Sequence, residues 1–283
     1  MPPTALADIA LSVQKITGLW RSAVPLSGGD IATLLRIEAE RGQFVLKTHS
    51  SPPAGFFASE AAGLASLAGR GMRVPAVLAK SEDFLLLQFM PPGRKDYFAA
   101  GVMLGRLHGS AQAMYGAPSD SYLATIRQPN RESADWPQFF LKQRIGFCLD
   151  RLANLQPNEQ ERWNDFARVA KPLLATCPRP SWLHGDLWAG NLMMTAEGPA
   201  LIDPACYAGD ALVDVAMTRL FGGFPQLFYE GYRSVLPVRE HEAELMRIYQ
   251  IYPLLVHAIL FDGADCRGSG YYRRAAGLRD AFF

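Results

Sequence analysis

His184-Gly185-Asp186-Leu187-Trp188-Ala189-Gly190-Asn191, followed by Leu201-Ile202-Asp203-Pro204, is the stretch that decides the fold and the chemistry. Two short apolar runs, Leu192 to Met194 and Ala200 to Ile202, flank Thr195-Ala196-Glu197-Gly198 and read as a small hairpin. Asp186 lies in the loop before it, Asn191 enters its first strand, and Asp203 leaves its second. Two carboxylates and an amide oxygen, far apart in sequence, are thereby expected to converge. A hard cation such as Mg²⁺ takes oxygen ligands, keeps several waters and is completed by substrate phosphates. Asn191 and Asp203 fit that ligand set. Asp186 is then left to accept the proton of an attacking hydroxyl, as the aspartate of a D-x-x-x-x-N loop does in phosphoryl transfer. Each fragment alone is an ordinary turn or strand end; the order and spacing of the whole set carry the reading.

Groups that hold ATP phosphates are then expected upstream. Only six of the 28 basic residues are lysine, and Lys47 sits near the end of an apolar strand, Phe44-Val45-Leu46-Lys47. A lysine there is a point charge for phosphates, oriented by a helix glutamate. Glu60, on the Ala-rich helix expected from Gly55 to Ala68, is the partner. The turn Ser27-Gly28-Gly29-Asp30 either lets backbone N–H groups at Gly28 and Gly29 approach the phosphates or is a plain hairpin. Leu85 to Met90 reads as a connecting strand. Main-chain groups of Gln88 and Met90 there either bond adenine or belong to an ordinary buried strand. No G-x-x-x-x-G-K-[ST] or G-x-G-x-x-G pattern is present.

The rest of the chain sets the frame. Its 283 residues, 49% hydrophobic and 19% charged, are enough for a substantial core and exclude disorder. A formal charge of +1 argues against a nucleic-acid or membrane-surface binder. Cys148, Cys177, Cys206 and Cys266 form no C-x-x-C pair, so reduced thiols in a cytoplasmic protein are expected. No signal peptide or membrane span is apparent.

The pattern predicts an N-terminal helix over residues 5–16 and strands at Trp20 to Leu26, Ile31 to Ile37 and Phe44 to Thr48. The Gly55 helix and strands at Val77 to Lys80 and Phe84 to Phe89 follow. Pro91-Pro92-Gly93 marks the boundary, giving residues 1–90 as an ATP-binding lobe and 91–283 as a mainly helical catalytic and substrate lobe. Helices are expected at Phe98 to Gln112, Trp136 to Asn154, Glu159 to Leu174, Leu212 to Leu220, Gln226 to Ser234, Glu242 to Phe261 and Tyr271 to Phe282. The fold class is α+β: a small antiparallel-sheet N-lobe and a mainly helical C-lobe, as in protein-kinase-like folds.

A protein substrate is disfavoured. Gly185 replaces the arginine that would pair with an activation-loop phosphate, and little chain separates Asp203 from Asp214. Asp214 either ties the catalytic loop through backbone N–H groups or is a simple helix N-terminal acid.

The sequence resembles the fructosamine kinase (ketosamine-3-kinase) family, within the aminoglycoside-phosphotransferase-like branch of that fold. The resemblance rests on His184 to Trp188, Ile202-Asp203-Pro204-Ala205 and Ala216 to Phe224. Phe57 to Ala61, Leu104 to His108, Gln128-Pro129-Asn130 and Tyr249 to Tyr252 add to it. It implies ATP- and Mg²⁺-dependent phosphorylation of a small-molecule ketosamine or glycated amine at the sugar 3-hydroxyl, a deglycation step. Asp186 would be the base and Trp188 would stack on the sugar, unless that tryptophan is a core residue. Asp30 after the Gly-Gly pair, and Gly209-Asp210-Ala211-Leu212, depart from the family pattern. A kinase of another small alcohol or amino sugar, and an ATP-binding module without turnover, are the alternatives.

Overall fold

The computed structural model describes residues 3–26, 32–152, 155–177, 179–261 and 270–283. Along the chain come α1 (Pro3–Thr17), β1 (Trp20–Pro25), β2 (Thr33–Ala39), β3 (Gly42–Thr48), α2 (Phe56–Ala68), β4 (Val77–Lys80) and β5 (Phe84–Gln88). Then follow α3 (Tyr97–Gly109), β6 (Ser121–Leu123), β7 (Ile126–Gln128), α4 (Trp136–Phe140), α5 (Phe147–Leu149), α6 (Pro157–Leu174) and β8 (Ser181–Leu183). The last elements are β9 (Leu192–Thr195), β10 (Gly198–Leu201), β11 (Tyr207–Gly209), α7 (Leu212–Thr218), α8 (Gln226–Arg233), α9 (Glu242–Phe261) and α10 (Gly270–Asp280).

These elements form two compact units. The first takes residues up to Asp96 together with Gly190–Pro204; the second takes Tyr97–Ala189 and Ala205–Phe283. A boundary at 90/91 is contiguous in sequence, whereas the first unit reclaims a hairpin from about a hundred residues downstream. The reason is hydrogen bonding. Gly93 N–H donates to Met194 O (2.8 Å) and Ala196 N–H to Pro91 O (2.9 Å), so Pro91-Pro92-Gly93 is stitched to the hairpin. A Cβ at Gly93 would lie 2.1 Å from Thr195 O, which only glycine avoids.

In the first unit an antiparallel sheet runs in the order β1-β2-β3-β5-β4. Glu40 and Arg41 turn β2 into β3, with Gly42 at φ 130°. Ile9 and Val13, one helical turn apart on α1, pack on Ile37, Ala39, Leu46, Phe84 and Leu86 of the sheet. On α2, Phe57, Glu60, Ala61 and Leu64 share the buried face, so helical periodicity places Glu60 inward. Leu201 N–H bonds Arg73 O (2.9 Å), and Pro204 packs at Gly63, which joins the β9–β10 hairpin to the rest of this unit.

The second unit is mainly helical. α3 and α8 cross so closely that a Cβ at Gly101 would lie 1.9 Å from Phe228 O, and one at Gly231 would lie 2.1 Å from Phe98 O. The helix expected over Trp136 to Asn154 is interrupted. α4 widens into a π-helical segment, Leu141–Gly146, before α5 ends at Leu149. Arg144, in the wide turn, is fully buried. Two three-residue ladders, β6–β7 and β8–β11, are additions to the sequence reading. The described cysteines are free thiols; Cys266 lies outside the described residues. No helix among the described residues is long and apolar enough to cross a membrane.

Candidate active site

In the first unit the central strand β3 delivers Lys47 and α2 delivers Glu60. Lys47 Nζ lies 2.8 Å from Glu60 Oε2 and 2.8 Å from Asp203 Oδ1. Lys47 and Glu60 are both buried. Burial works against the ammonium, but the charges of Glu60 and Asp203 outweigh it and hold Lys47 above its usual range. Burial also pushes the Glu60 carboxyl up to about 8, against the pull of Lys47 and helped by Asp203. The two directions oppose one another, since an ammonium favours an ionised neighbour. Short contacts to two carboxylates place the shared proton on Lys47.

Asp203 adopts φ +53°, a left-handed conformation that costs a non-glycine residue roughly 1 kcal/mol or more. The base of the hairpin ties it to Asn191: Ile202 N–H donates to Asn191 O at 3.1 Å, and Asn191 is buried at the end of a 3₁₀ turn, Ala189–Asn191. Asn191 and Asp203 thus offer one amide and one carboxylate, an oxygen-only set suited to Mg²⁺. Among the described residues no group of three or more His, Cys, Asp or Glu could hold a metal ion by itself. A cation here would draw its remaining ligands from water and phosphate, which fits Mg²⁺ better than a metal needing an all-protein cage.

In the second unit β8, paired with β11, runs into the turn that carries Asp186. Asp214 on α7 braces this turn. Its Oδ2 accepts from His184 N–H (2.7 Å) and His108 Nε2 (3.0 Å), and its Oδ1 from Gly185 N–H (2.9 Å). A carboxylate can only accept, so His108 carries its proton on Nε2; its Nδ1 meets Tyr232 Oη at 3.0 Å. Burial alone would push the Asp214 carboxyl up. The His108 bond and charge, the His184 charge and the Gly185 N–H outweigh it and hold the group below the usual carboxylate range. Gly185, at φ +86°, allows Ala205 O to approach where a Cβ would meet it at 2.1 Å. Asp186 is half-buried, and Trp188 is 40% exposed, so it is no core residue.

The structure therefore brings Lys47, Glu60 and Asp203 together and ties Asn191 to the same hairpin. Asp186 and Trp188 belong to the second unit. Gly28, Gly29 and Asp30 lie outside the described residues. Gln88 donates its N–H to Ala76 O (2.9 Å) within the sheet, so that group is not available to adenine; Met90, just beyond β5, is buried. Asp210 turns inward and accepts from Arg239 (2.5 and 3.0 Å), Tyr249 Oη (2.7 Å) and Leu212 N–H (2.9 Å). His108 and Tyr232 escaped sequence reasoning. A histidine closing the apolar face of Leu104 to His108 was their only trace.

The sequence model described as fructosamine kinase matches residues 8–273. A Thermus thermophilus protein named "Probable ketoamine kinase" is 41% identical over 253 residues, covering 88% of this chain and 89% of its own. A Vibrio parahaemolyticus protein of the same description is 38% identical, covering 91% and 92%. A candidate fructosamine-3-kinase from Thermobifida fusca superimposes with TM-score 0.81 at 30% identity, covering 95% of this chain and 98% of its own. The aminoglycoside phosphotransferase APH(4)-Ia, solved with AMP-PNP and hygromycin B, shares the fold at TM-score 0.64 and 14% identity, covering 97% and 98%. The protein-kinase-like fold expected from the catalytic motifs is thus present, and the chain belongs to the fructosamine kinase family of ATP-dependent phosphotransferases.

Proposed function

We propose that this chain transfers the γ-phosphoryl group of ATP to the sugar 3-hydroxyl of a ketosamine of the fructosamine or ribulosamine type. The observation that carries the reading is Asp186 on a turn braced by Asp214, in a chain of this family. Lys47, oriented by Glu60, binds the ATP phosphates. Main-chain groups at Gln88, other than its committed N–H, and at Met90 receive adenine. Asn191 and Asp203 hold Mg²⁺, which when bound neutralises charge on the phosphate oxygens. In this division residues 1–90 serve ATP and residues 91–283 the acceptor, with the Asn191–Asp203 hairpin serving the metal.

Trp188 stacks on the sugar. The 3-hydroxyl oxygen attacks the γ-phosphorus, the bond to the β–γ bridging oxygen breaks, ADP departs, and the hydroxyl proton passes to the Asp186 carboxylate. General-base help of this kind is worth about 10²- to 10⁴-fold. The 3-phosphate lies beside the carbonyl carbon: loss of a C1 proton gives an enaminol, phosphate leaves as the C2–C3 double bond forms, and water cleaves the resulting imine to free the amine and a 3-deoxy dicarbonyl sugar, which makes the reaction a deglycation. We place it in the cytoplasm, where ATP is supplied.

The test is Mg-ATP consumption over a panel of ribulosamines, fructosamines, aminoglycosides and simple alcohols. Transfer to a ketosamine, abolished in Asp186→Asn, is expected. Transfer only to a non-ketosamine refutes the substrate, and a fully active Asp186→Asn refutes the base.

A further inference from the structure

Asp214 holds the Asp186-bearing turn by its N–H groups, and the opposite side of the turn has its own support. His184 O accepts from Ala205 N–H at 2.9 Å, and Ala205 O sits against Gly185 so tightly that only glycine fits. That same Ala205 O accepts from Gln128 Nε2 at 3.0 Å. A carbonyl oxygen can only accept, so the Gln128 amide has one permitted orientation. Its Nε2 also donates to Ser121 Oγ (2.7 Å), and its Oε1 accepts from Tyr252 Oη (3.0 Å). Gln128 is 0% exposed.

The support extends further. Ser121 Oγ also accepts from Asn130 Nδ2 (3.0 Å), and Asn130 Oδ1 accepts from Arg144 (2.7 Å). Arg144 donates as well to Pro129 O (2.5 Å), and its guanidinium lies over the rings of Phe139, Tyr207 and Tyr252. No carboxylate pairs with Arg144 among the described residues. Burying a guanidinium and two amides is costly, and apolar side chains of the same volume would stabilise the interior as well. What apolar side chains cannot do is fix the position of a carbonyl oxygen.

We propose that Gln128 is a positioning residue for phosphoryl transfer, setting the Asp186 turn through Ala205 O and held in place by Tyr252 and the Arg144-centred polar layer. This rests on Asp186 being the proton acceptor. The side chain acts through the backbone and touches no reactant.

Gln128→Met keeps length and loses every hydrogen bond; Tyr252→Phe removes one hydroxyl and leaves Gln128 in place. Both are compared with wild type and Asp186→Asn for kcat, KM for ATP, KM for fructosyl-lysine, and Tm. For Gln128→Met the expected result is a fall in kcat of about 10- to 100-fold with both KM values within about 2-fold, since small misplacements of a reacting group cost that much. Tyr252→Phe is expected to lower kcat by about 3- to 10-fold in the same pattern. A kcat within about 2-fold of wild type, whatever the Tm, overturns the proposal, as does a loss confined to KM. If Gln128→Met does not fold, Tyr252→Phe decides by the same criteria. Should wild type use a different acceptor, the substrate reading fails and the comparison is run on that acceptor. A fully active Asp186→Asn removes the base reading and this proposal with it.

Discussion

Asp214→Asn removes a charge and one acceptor from the brace beneath the turn that carries Asp186. The carboxylate receives three hydrogen bonds, from His184 N–H, Gly185 N–H and His108 Nε2, and is fully buried. However the new amide turns, its NH₂ group faces a backbone N–H, so at least one buried donor loses its partner. Each such loss costs about 1–3 kcal/mol, and removing one member of a buried charged network about 3–5 kcal/mol. With an unfolding entropy of about 2.1 cal/mol/K per residue, 283 residues convert ~3–5 kcal/mol into a drop in Tm of about 5–8 °C. The folded carboxyl sits below its unfolded value, so its stabilisation is complete above the unfolded value, near pH 4, and is lost as pH falls through the folded one. The Tm gap between wild type and variant, followed by circular dichroism, is therefore flat from about pH 6 to 8 and narrows below about pH 4. A gap under about 1 °C at neutral pH, or one that widens on acidification, refutes this account of the brace.

Two further outcomes follow from close packing and buried charge. Gly101→Ala sets a methyl group against the α8 backbone and is expected to cost about 1–3 kcal/mol or more, read by urea denaturation; an unchanged midpoint contradicts the tight α3–α8 crossing. Glu60→Gln removes one of the two carboxylates beside the buried Lys47 ammonium, while Asp203 still holds it at 2.8 Å. Stability is expected to fall by about 1–3 kcal/mol, while kcat/KM for ATP falls by about tenfold or more; an unaltered kcat/KM contradicts the orienting role of Glu60.

Much of this was legible in the chain because the informative signals are local. The apolar run Phe44-Val45-Leu46, and the spacing of Phe57, Glu60, Ala61 and Leu64, place Lys47 on a strand and Glu60 on the inner face of a helix. The hairpin that brings Asn191 to Asp203 closes through a four-residue turn with its own glycine. What stayed hidden depends on distant partners. Asp214 could be a helix-end acid or a loop brace until His184 and Gly185 were seen to donate to it. Gln128 meets Tyr252 across 124 positions and Ala205 across 77, which no window of sequence detects. The ladders β6–β7 and β8–β11 have three-residue strands, too short for a period of two to register. The π-helical segment changes the hydrogen-bond span without changing the composition of the helix around it.

The reclaimed hairpin also has a consequence for biogenesis. Lys47 and Asp203 are 156 positions apart, and the hairpin that stitches to Pro91-Pro92-Gly93 ends at Pro204. The first unit therefore cannot close its charged cluster when Asp96 leaves the ribosome. At about 5–20 residues per second, residue 204 follows roughly 5–20 s later. For that interval the chain holds Lys47 and Glu60 without the aspartate that completes their cluster. A premature stop between residues 97 and 190 would release a chain that lacks both oxygen donors of the hairpin, Asn191 and Asp203.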